Sequence, residues 1–380
     1  MKLRLFLLLG LLLFYLPSAY CEEFKGTYLP PLISSLRLST PLYFCGEKVP
    51  VEIQDVRERL EKELLLSLWD RPQVILWLKR SPRYLPLIET MLKNNNLPDD
   101  LKYIAIAESA LRPHVSSKRG AKGFWQFMQE TGRNYGLAIN EHIDERRNVI
   151  ASTQAAIRYF EELYEKFGSW TLAAAAYNMG DKGLEAEILE QETDTYYHLY
   201  LPLETQRFVF RVISAKLILT NPGRYGFFLS EEDCYLPLEF DRIQLNCEQD
   251  TPLRLVARAA KTYFKVIKDL NPEIRGHYLT QGNHDILIPK GSAKGFHSRY
   301  QEFVTNWMAS KKEFVYIVKQ GENLSLIAEK FGVPLAALLI WNKLDLKDHI
   351  YPGDRLIIYK REEKILEPDE TESEEGQENL

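Results

Sequence analysis

The chain has 380 residues, of which 45% are hydrophobic and 27% charged. Those fractions belong to globular proteins and exclude wholesale disorder, and the length points to two or three domains. Forty-eight Lys and Arg against 53 Asp and Glu leave a formal net charge of −5. So acidic a chain offers no global field to a phosphate backbone, which argues against nucleic acid as a partner.

Residues 1–21 read as a signal peptide. Lys2 and Arg4 open an almost unbroken apolar run, Leu5–Leu16, which Pro17, Ser18 and Ala19 close. The run is short of the roughly twenty residues a bilayer span needs, but it suits the apolar core of an export signal. The expected location is the cell envelope, in the periplasm. Cys21 leaves two outcomes open: ordinary cleavage near Ala19 or Cys21, or a lipid anchor that attaches the protein to a membrane. Tyr20 stands where a lipoprotein signal wants a small residue, which favours ordinary cleavage. An oxidising compartment permits a Cys234–Cys247 disulfide and leaves Cys45 odd. The seven His are scattered, and no Cys/His cluster has metal-ligand spacing. The sequence implies no metal and no organic cofactor.

Residues 22–50 carry prolines and no helical period, and read as an extended lead-in. From Val51 the pattern is helical. Val56, Leu60, Leu64 and Leu68 recur every four residues, an amphipathic stripe. Pro98, Asp99 and Asp100 start a helix expected to run through Leu111, where Pro113 stops it. Further helices fit 148–167, 170–178 and 204–220, punctuated by Gly168, Gly180 and Asn221-Pro222-Gly223. Residues 51–226 thus form an all-α domain. Beyond it, residues 236–291 and 313–360 repeat one arrangement: an apolar stretch, two helix-like segments, an Asn (Asn271, Asn342) and a closing apolar stretch. Two small βααβ modules are expected. Residues 361–380, acidic after Ile365, read as a solvated tail.

Within the all-α domain, Glu108 is the sole charge in Tyr103–Leu111. On a helix it lies one turn from Ile104 and Leu111, so the apolar stripe points its carboxyl inward. Burial raises a carboxyl pKa, and an acid still protonated near neutral pH can protonate a glycosidic oxygen. A buried Glu paired with Arg112 or Arg119 would look the same from this segment alone. Gly120–Phe127 adds glycines for close backbone approach, aromatic rings and the amide of Gln126. Ala173–Ala176 forms a face for tight helix packing and delivers Tyr177 and Asn178 at its end.

In this order, Glu108-Ser109, Gly123–Gln126 and Ala176-Tyr177-Asn178 resemble the catalytic domain of family 1 lytic transglycosylases, which has a goose-type-lysozyme-like fold. Trp125-Gln126, residues 131–137, Asp144 with Arg146-Arg147, and Leu201-Pro202 with Glu204-Thr205 resemble its membrane-bound, D-type members more narrowly. The likeness covers about residues 85–225. It implies cleavage of the MurNAc-β-1,4-GlcNAc bond of peptidoglycan glycan strands without water as nucleophile, leaving 1,6-anhydromuramoyl ends. Glu108 is then the catalytic acid and base. Ser109, Gly123, Gln126, Phe127, Tyr177 and Asn178 are expected to bind substrate, and Glu204 to line the cleft without acting as nucleophile. One departure is Phe208, where relatives carry a Tyr.

Residues 313–360 resemble a LysM domain, which binds GlcNAc-containing polymers in a shallow groove between two loops. The resemblance puts Gly321, Glu322, Asn323, Leu324, Trp341 and Asn342 at that groove. Residues 236–291 resemble a degenerate copy: Glu248–Pro252 replaces the Gly-containing loop, so a spacer or docking role is the default. Two rivals share these features, a goose-type muramidase that transfers to water and a non-enzymatic wall-binding scaffold.

Overall fold

The computed structural model describes residues 30–310, 313–342 and 344–359. The signal peptide, Cys21 and the acidic tail lie outside them. The chain divides into two compact units. One runs through Phe240 and takes in Lys268–Leu279; the other holds Asp241–Ile267 and the chain from Thr280 onward.

The first unit is helical. After a single turn, α1 (Leu32–Ser35), the expected lead-in forms a hairpin, β1 (Leu42–Phe44) paired antiparallel with β2 (Glu47–Val49). The hairpin is part of the fold because Glu47 caps a distant helix, accepting from Thr171 N at 3.0 Å and from Trp170 N. A carboxylate there meets the unsatisfied N–H groups of a helix start. The helices are α2 (Gln54–Trp69), α3 (Arg71–Asn94), α4 (Lys102–Ser109), α5 (Gln129–Asn134), α6 (Val149–Phe167), α7 (Trp170–Met179), α8 (Asp181–Gln191) and α9 (Leu203–Thr220).

Val56, Leu60, Leu64 and Leu68 are all buried along α2, which packs on α9. Ala173–Ala176 are completely buried, and their small side chains let α7 pack closely on both α6 and α9. Helix α4 ends two residues short of the expected Leu111. Ala110 and Leu111 take left-handed conformations, φ +53° and +57°, and turn the chain sharply. Each costs roughly 1–2 kcal/mol for a residue with a Cβ. Arg80 Nη1 binds the Ala110 carbonyl at 3.2 Å and helps to hold the turn.

Residues 236–291 contain β3 (Phe240–Cys247), followed by β4 (Thr251–Pro252), α10 (Leu253–Ala259) and α11 (Phe264–Leu270). After β5 (Tyr278–Leu279), β6 (Gly282–Pro289) pairs with β3. Strand β6 ends at Pro289, and Lys268–Leu279, inside the expected module, groups with the helical unit. Helix α12 (Phe296–Ser310), which the sequence reading leaves out, packs on α10. Cys45, Cys234 and Cys247 are free, so the Cys234–Cys247 disulfide that the sequence permits is not formed. Cys247 is instead buried on β3, with Sγ 3.5 Å from the Tyr300 hydroxyl of α12.

The last module is β7 (Glu313–Ile317), α13 (Leu324–Lys330), α14 (Leu335–Asn342) and β8 (Arg355–Tyr359), with β7 antiparallel to β8 and Val315 opposite Ile357. Leu324, Ile327, Leu338, Leu356 and Ile358 fill its core. Asn342 fastens α14 to β8. Its Nδ2 donates to Leu338 O at 2.8 Å and Ile357 O at 3.0 Å, and its Oδ1 accepts from Ile357 N at 2.6 Å. Asn342→Ala strips partners from one N–H and two carbonyls and should destabilise the module by about 2 kcal/mol. Hydrogen exchange at the Ile357 amide should accelerate by about thirtyfold; an unchanged rate would rule the fastening out.

Candidate active site

Glu108 is the penultimate residue of α4. Helix residues Lys102–Ile106 before it are buried, and the left-handed turn directly after Ser109 leaves the carboxyl at the helix end. The residue is half-buried, so part of it reaches solvent. Its carboxyl is nevertheless enclosed enough for burial to raise its pKa to about 7, with Arg211 pulling it down and Glu204 pushing it up. A carboxyl so placed can give a proton and take one back near neutral pH.

The Gly120–Phe127 loop lies against this helix end. Ser109 is buried, and its Oγ sits 2.7 Å from Phe124 O and 3.0 Å from Ala105 O. The hydroxyl thus ties α4 to the loop, whereas the resemblance gave it to substrate. Phe124, Trp125 and Phe127 are also buried and cannot offer faces to a sugar. Trp125 Nε1 donates to Thr153 Oγ1 at 3.0 Å, and Phe127 packs edge-on to Tyr177 with centroids 5.9 Å apart. Gly123 is needed for protein packing instead of sugar approach. At φ +80°, an added Cβ would lie 1.7 Å from the Arg146 carbonyl oxygen, which no side chain can tolerate.

Arg146 clamps the loop from below. It pairs with Asp144 through two bonds of 2.8 Å, while Nη1 donates to Gly120 O at 3.1 Å and Phe127 O at 3.2 Å. Both ends of the loop are thereby held by one buried guanidinium. Between them, Gln126 spends its amide N–H groups on Gly123 O at 2.8 Å and Val115 O at 3.2 Å. That leaves its Oε1 as an acceptor.

Tyr177 stacks on Phe160, rings 12° apart at 4.7 Å, and its hydroxyl donates to Trp125 O at 2.6 Å. Burial and the nearby Glu108 charge push its pKa up, so the phenol keeps its proton. Asn178 Oδ1 accepts from Thr205 Oγ1 at 2.9 Å, which turns its Nδ2 donors the other way. Glu204 is exposed and lines a cavity of about 280 Å³ with Leu203, Arg207 and Arg211. Arg207 is bound bidentately to buried Glu63 at 2.5 and 3.2 Å. Arg211 has a buried Nε without a hydrogen-bond partner, and its guanidinium lies 5.5 Å from the Phe208 ring. Phe208 itself is fully buried. The sequence reading missed Arg211; the signal was its spacing, seven residues after Glu204 on one helix face.

The LysM residues divide in the same way. Asn323 Oδ1 caps α13 through Leu326 N at 2.9 Å, Leu324 is core, and Asn342 is the fastener described above. Glu322 accepts from Tyr316 at 2.6 Å, from Lys319 N at 2.9 Å and from Lys330 at 2.9 Å, and those bonds hold its pKa at about 2. Gly321, at φ +83° with open space around it, and half-buried Trp341 remain available to a ligand.

Glu108 is thus a carboxyl with a raised pKa at the end of a helix, near the charged groups of Arg211 and Glu204 and the phenol of Tyr177. A model of the transglycosylase SLT domain matches residues 86–199, and one of the LysM domain matches residues 316–358. Two relatives, each named membrane-bound lytic murein transglycosylase D, come from Escherichia coli strains K12 and CFT073. Each is 32% identical over 332 residues, covering 83% of this chain and 72% of its own. This chain belongs to the lytic murein transglycosylase D family. A putative tributyltin chloride resistance protein of Alteromonas is 34% identical over 110 residues, 28% of this chain and 53% of its own. The solved 70 kDa soluble lytic transglycosylase of Escherichia coli is 20% identical with a TM-score of 0.34, covering 47% of this chain and 30% of its own.

Titration of the Glu108 carboxyl by carbon NMR should give a midpoint near 7. Arg211→Ala removes the lowering charge and should move it up; Glu204→Gln removes the raising charge and should move it down. Midpoints that ignore both substitutions would show that these side chains do not face Glu108.

Proposed function

We propose that this chain cuts peptidoglycan glycan strands by intramolecular transglycosylation, with Glu108 as the one proton carrier. The observation that supports this most directly is the Glu108 carboxyl, enclosed at the end of α4 with its pKa raised to about 7 by burial. The protonated form gives its proton to the oxygen bridging MurNAc and GlcNAc as the C1–O bond breaks. The resulting carboxylate, facing the Arg211 cation, takes the proton of the muramoyl C6 hydroxyl while that oxygen bonds to C1. Atoms balance without water, and the new end is a 1,6-anhydro sugar. A single carboxyl suffices because the substrate brings its own nucleophile, unlike the two-carboxylate hydrolases. Gln126 Oε1 and the Tyr177 oxygen are acceptors for sugar hydroxyl and acetamido N–H groups, and Asn178 Nδ2 is a donor. Ser109, Gly123 and Phe127 act beneath that surface by shaping it.

The family and the LysM module set this work in the cell envelope. The export run and Cys21 extend that reading to the periplasm, with a membrane tether if Cys21 is acylated. LysM binding raises the effective concentration of the catalytic unit on an insoluble polymer. The shared scaffold also fits a muramidase, and product mass separates the two: anhydro ends are one water lighter than reducing ends.

Purified sacculi digested with the protein should release anhydromuropeptides, and Glu108→Gln should lower that release by about a thousandfold or more. Reducing ends alone would establish the hydrolase. The same substitution should also stabilise the fold above pH 7. A carboxyl whose folded pKa is raised costs nothing below its unfolded pKa, destabilises increasingly from there up to the folded value, and costs a constant amount above it. Allowing for its solvent contact, Glu108→Gln should gain roughly 2 kcal/mol at pH 8 and nothing at pH 4, measured by chemical denaturation.

A further inference from the structure

The segment Lys268–Leu279 belongs by sequence to the degenerate module, at the position that corresponds to the second groove loop of the LysM domain. In the structure it is part of the helical unit. Asn271, Pro272, Glu273 and Ile274 are four consecutive buried residues. Ile274 forms an antiparallel bridge with Ile143. Around it, Asp144 N donates to Glu273 O at 2.9 Å and Arg275 N donates to His142 O at 2.8 Å. Arg275 Nη1 adds a bond of 3.0 Å to Asn140 O. Lys268 Nζ folds the segment on itself by donating to Ile274 O and, at 3.1 Å, to Gly276 O.

What the segment grips matters for the site. Asp144, whose backbone it binds, is the residue whose carboxylate holds Arg146. Arg146 in turn holds both ends of the loop that bears Gln126. That loop receives the Ser109 hydroxyl at Phe124 O and the Tyr177 hydroxyl at Trp125 O. A second line runs through Glu273, whose buried carboxyl lies close enough to Asn148 to be influenced by it. Asn148 caps α6 by accepting from Ile150 N at 2.9 Å and Ala151 N at 3.0 Å. Helix α6 carries Thr153, the partner of Trp125, and Phe160, on which Tyr177 stacks.

We infer that Asn271–Arg275 is a positioning element of the active site, a brace that keeps the Gly120–Phe127 loop at the geometry Glu108 requires. Buried in this way, its residues are withdrawn from glycan binding, so the degenerate module contributes a structural brace in place of a second sugar groove. This rests on Glu108 being the acid, but its test is separable from that reading.

The test uses the full chain carrying Ile274→Ala and Arg275→Ala together. On soluble glycan strands, kcat should fall by about tenfold with KM little changed. Retention on insoluble peptidoglycan through the LysM module should be unaffected. Amide exchange at Gly123 and Gln126 should accelerate by about tenfold while amides of α2 and α9 keep their rates. Ile274→Val should restore wild-type behaviour. Unchanged exchange in residues 120–127, or unchanged kcat, would overturn the brace. If the double variant does not fold, Arg275→Ala alone is read out in the same way, with smaller shifts of the same sign required. Glu108→Gln serves as the control: it should abolish turnover and leave loop exchange alone. Full activity in that control would remove the proposed acid without touching the exchange result.

Discussion

In the mechanism proposed for this chain, one carboxyl held back from ionisation is the constraint on which the catalytic unit depends. Keeping Glu108 protonated near neutral pH requires low polarity around it, and low polarity is supplied by a helix with nearly every side chain in the core. Such a helix cannot run on past the site without burying the carboxyl completely. The two left-handed residues after Ser109 resolve the conflict at an energetic cost, ending the helix where the acid must meet solvent. Strain of this kind gathers at working sites because the surrounding fold over-determines it.

Much of the architecture was legible because it depends on periodicity. The four-residue recurrence of Val56, Leu60, Leu64 and Leu68 can be satisfied only by a helix buried along one side. The alanine run at 173–176 announces close packing for the same reason. The motif residues were less transparent. Phe124, Trp125 and Phe127 look like sugar platforms in one dimension, yet all three are core. Ser109, Gly123, Asn323 and Asn342 serve their own backbone. Residue type reports that a position is demanding; it does not say whether the demand comes from a ligand or from the protein. Glu108 stands out in the sequence because a lone carboxylic acid among aliphatics has few structural excuses, and the structure encloses its carboxyl. Arg211 does not, because an arginine on a polar helix face is ordinary until Glu108 is seen opposite.

The capture of Lys268–Leu279 by the helical unit was invisible for a different reason. A sequence repeat identifies ancestry of a segment, whereas the final packing partner is chosen by whichever surface buries it best. Asn271-Pro272-Glu273-Ile274 has enough apolar and hydrogen-bonding capacity to be valuable to either neighbour. The two copies of the module have accordingly diverged: one keeps an open glycine loop at Gly321, and the other has given up its second loop.

A unit assembled from two separated stretches of chain also has an order of completion. A polypeptide grows from its amino end, and domains tend to fold as they become available. Here the helices are finished well before the stretch that locks beneath them has been made. If the brace acts as inferred, a chain that folded in this order would hold the active-site loop without its support during that interval. On the brace inferred above, a chain interrupted before residue 279 would lack part of the segment that the helical unit takes in.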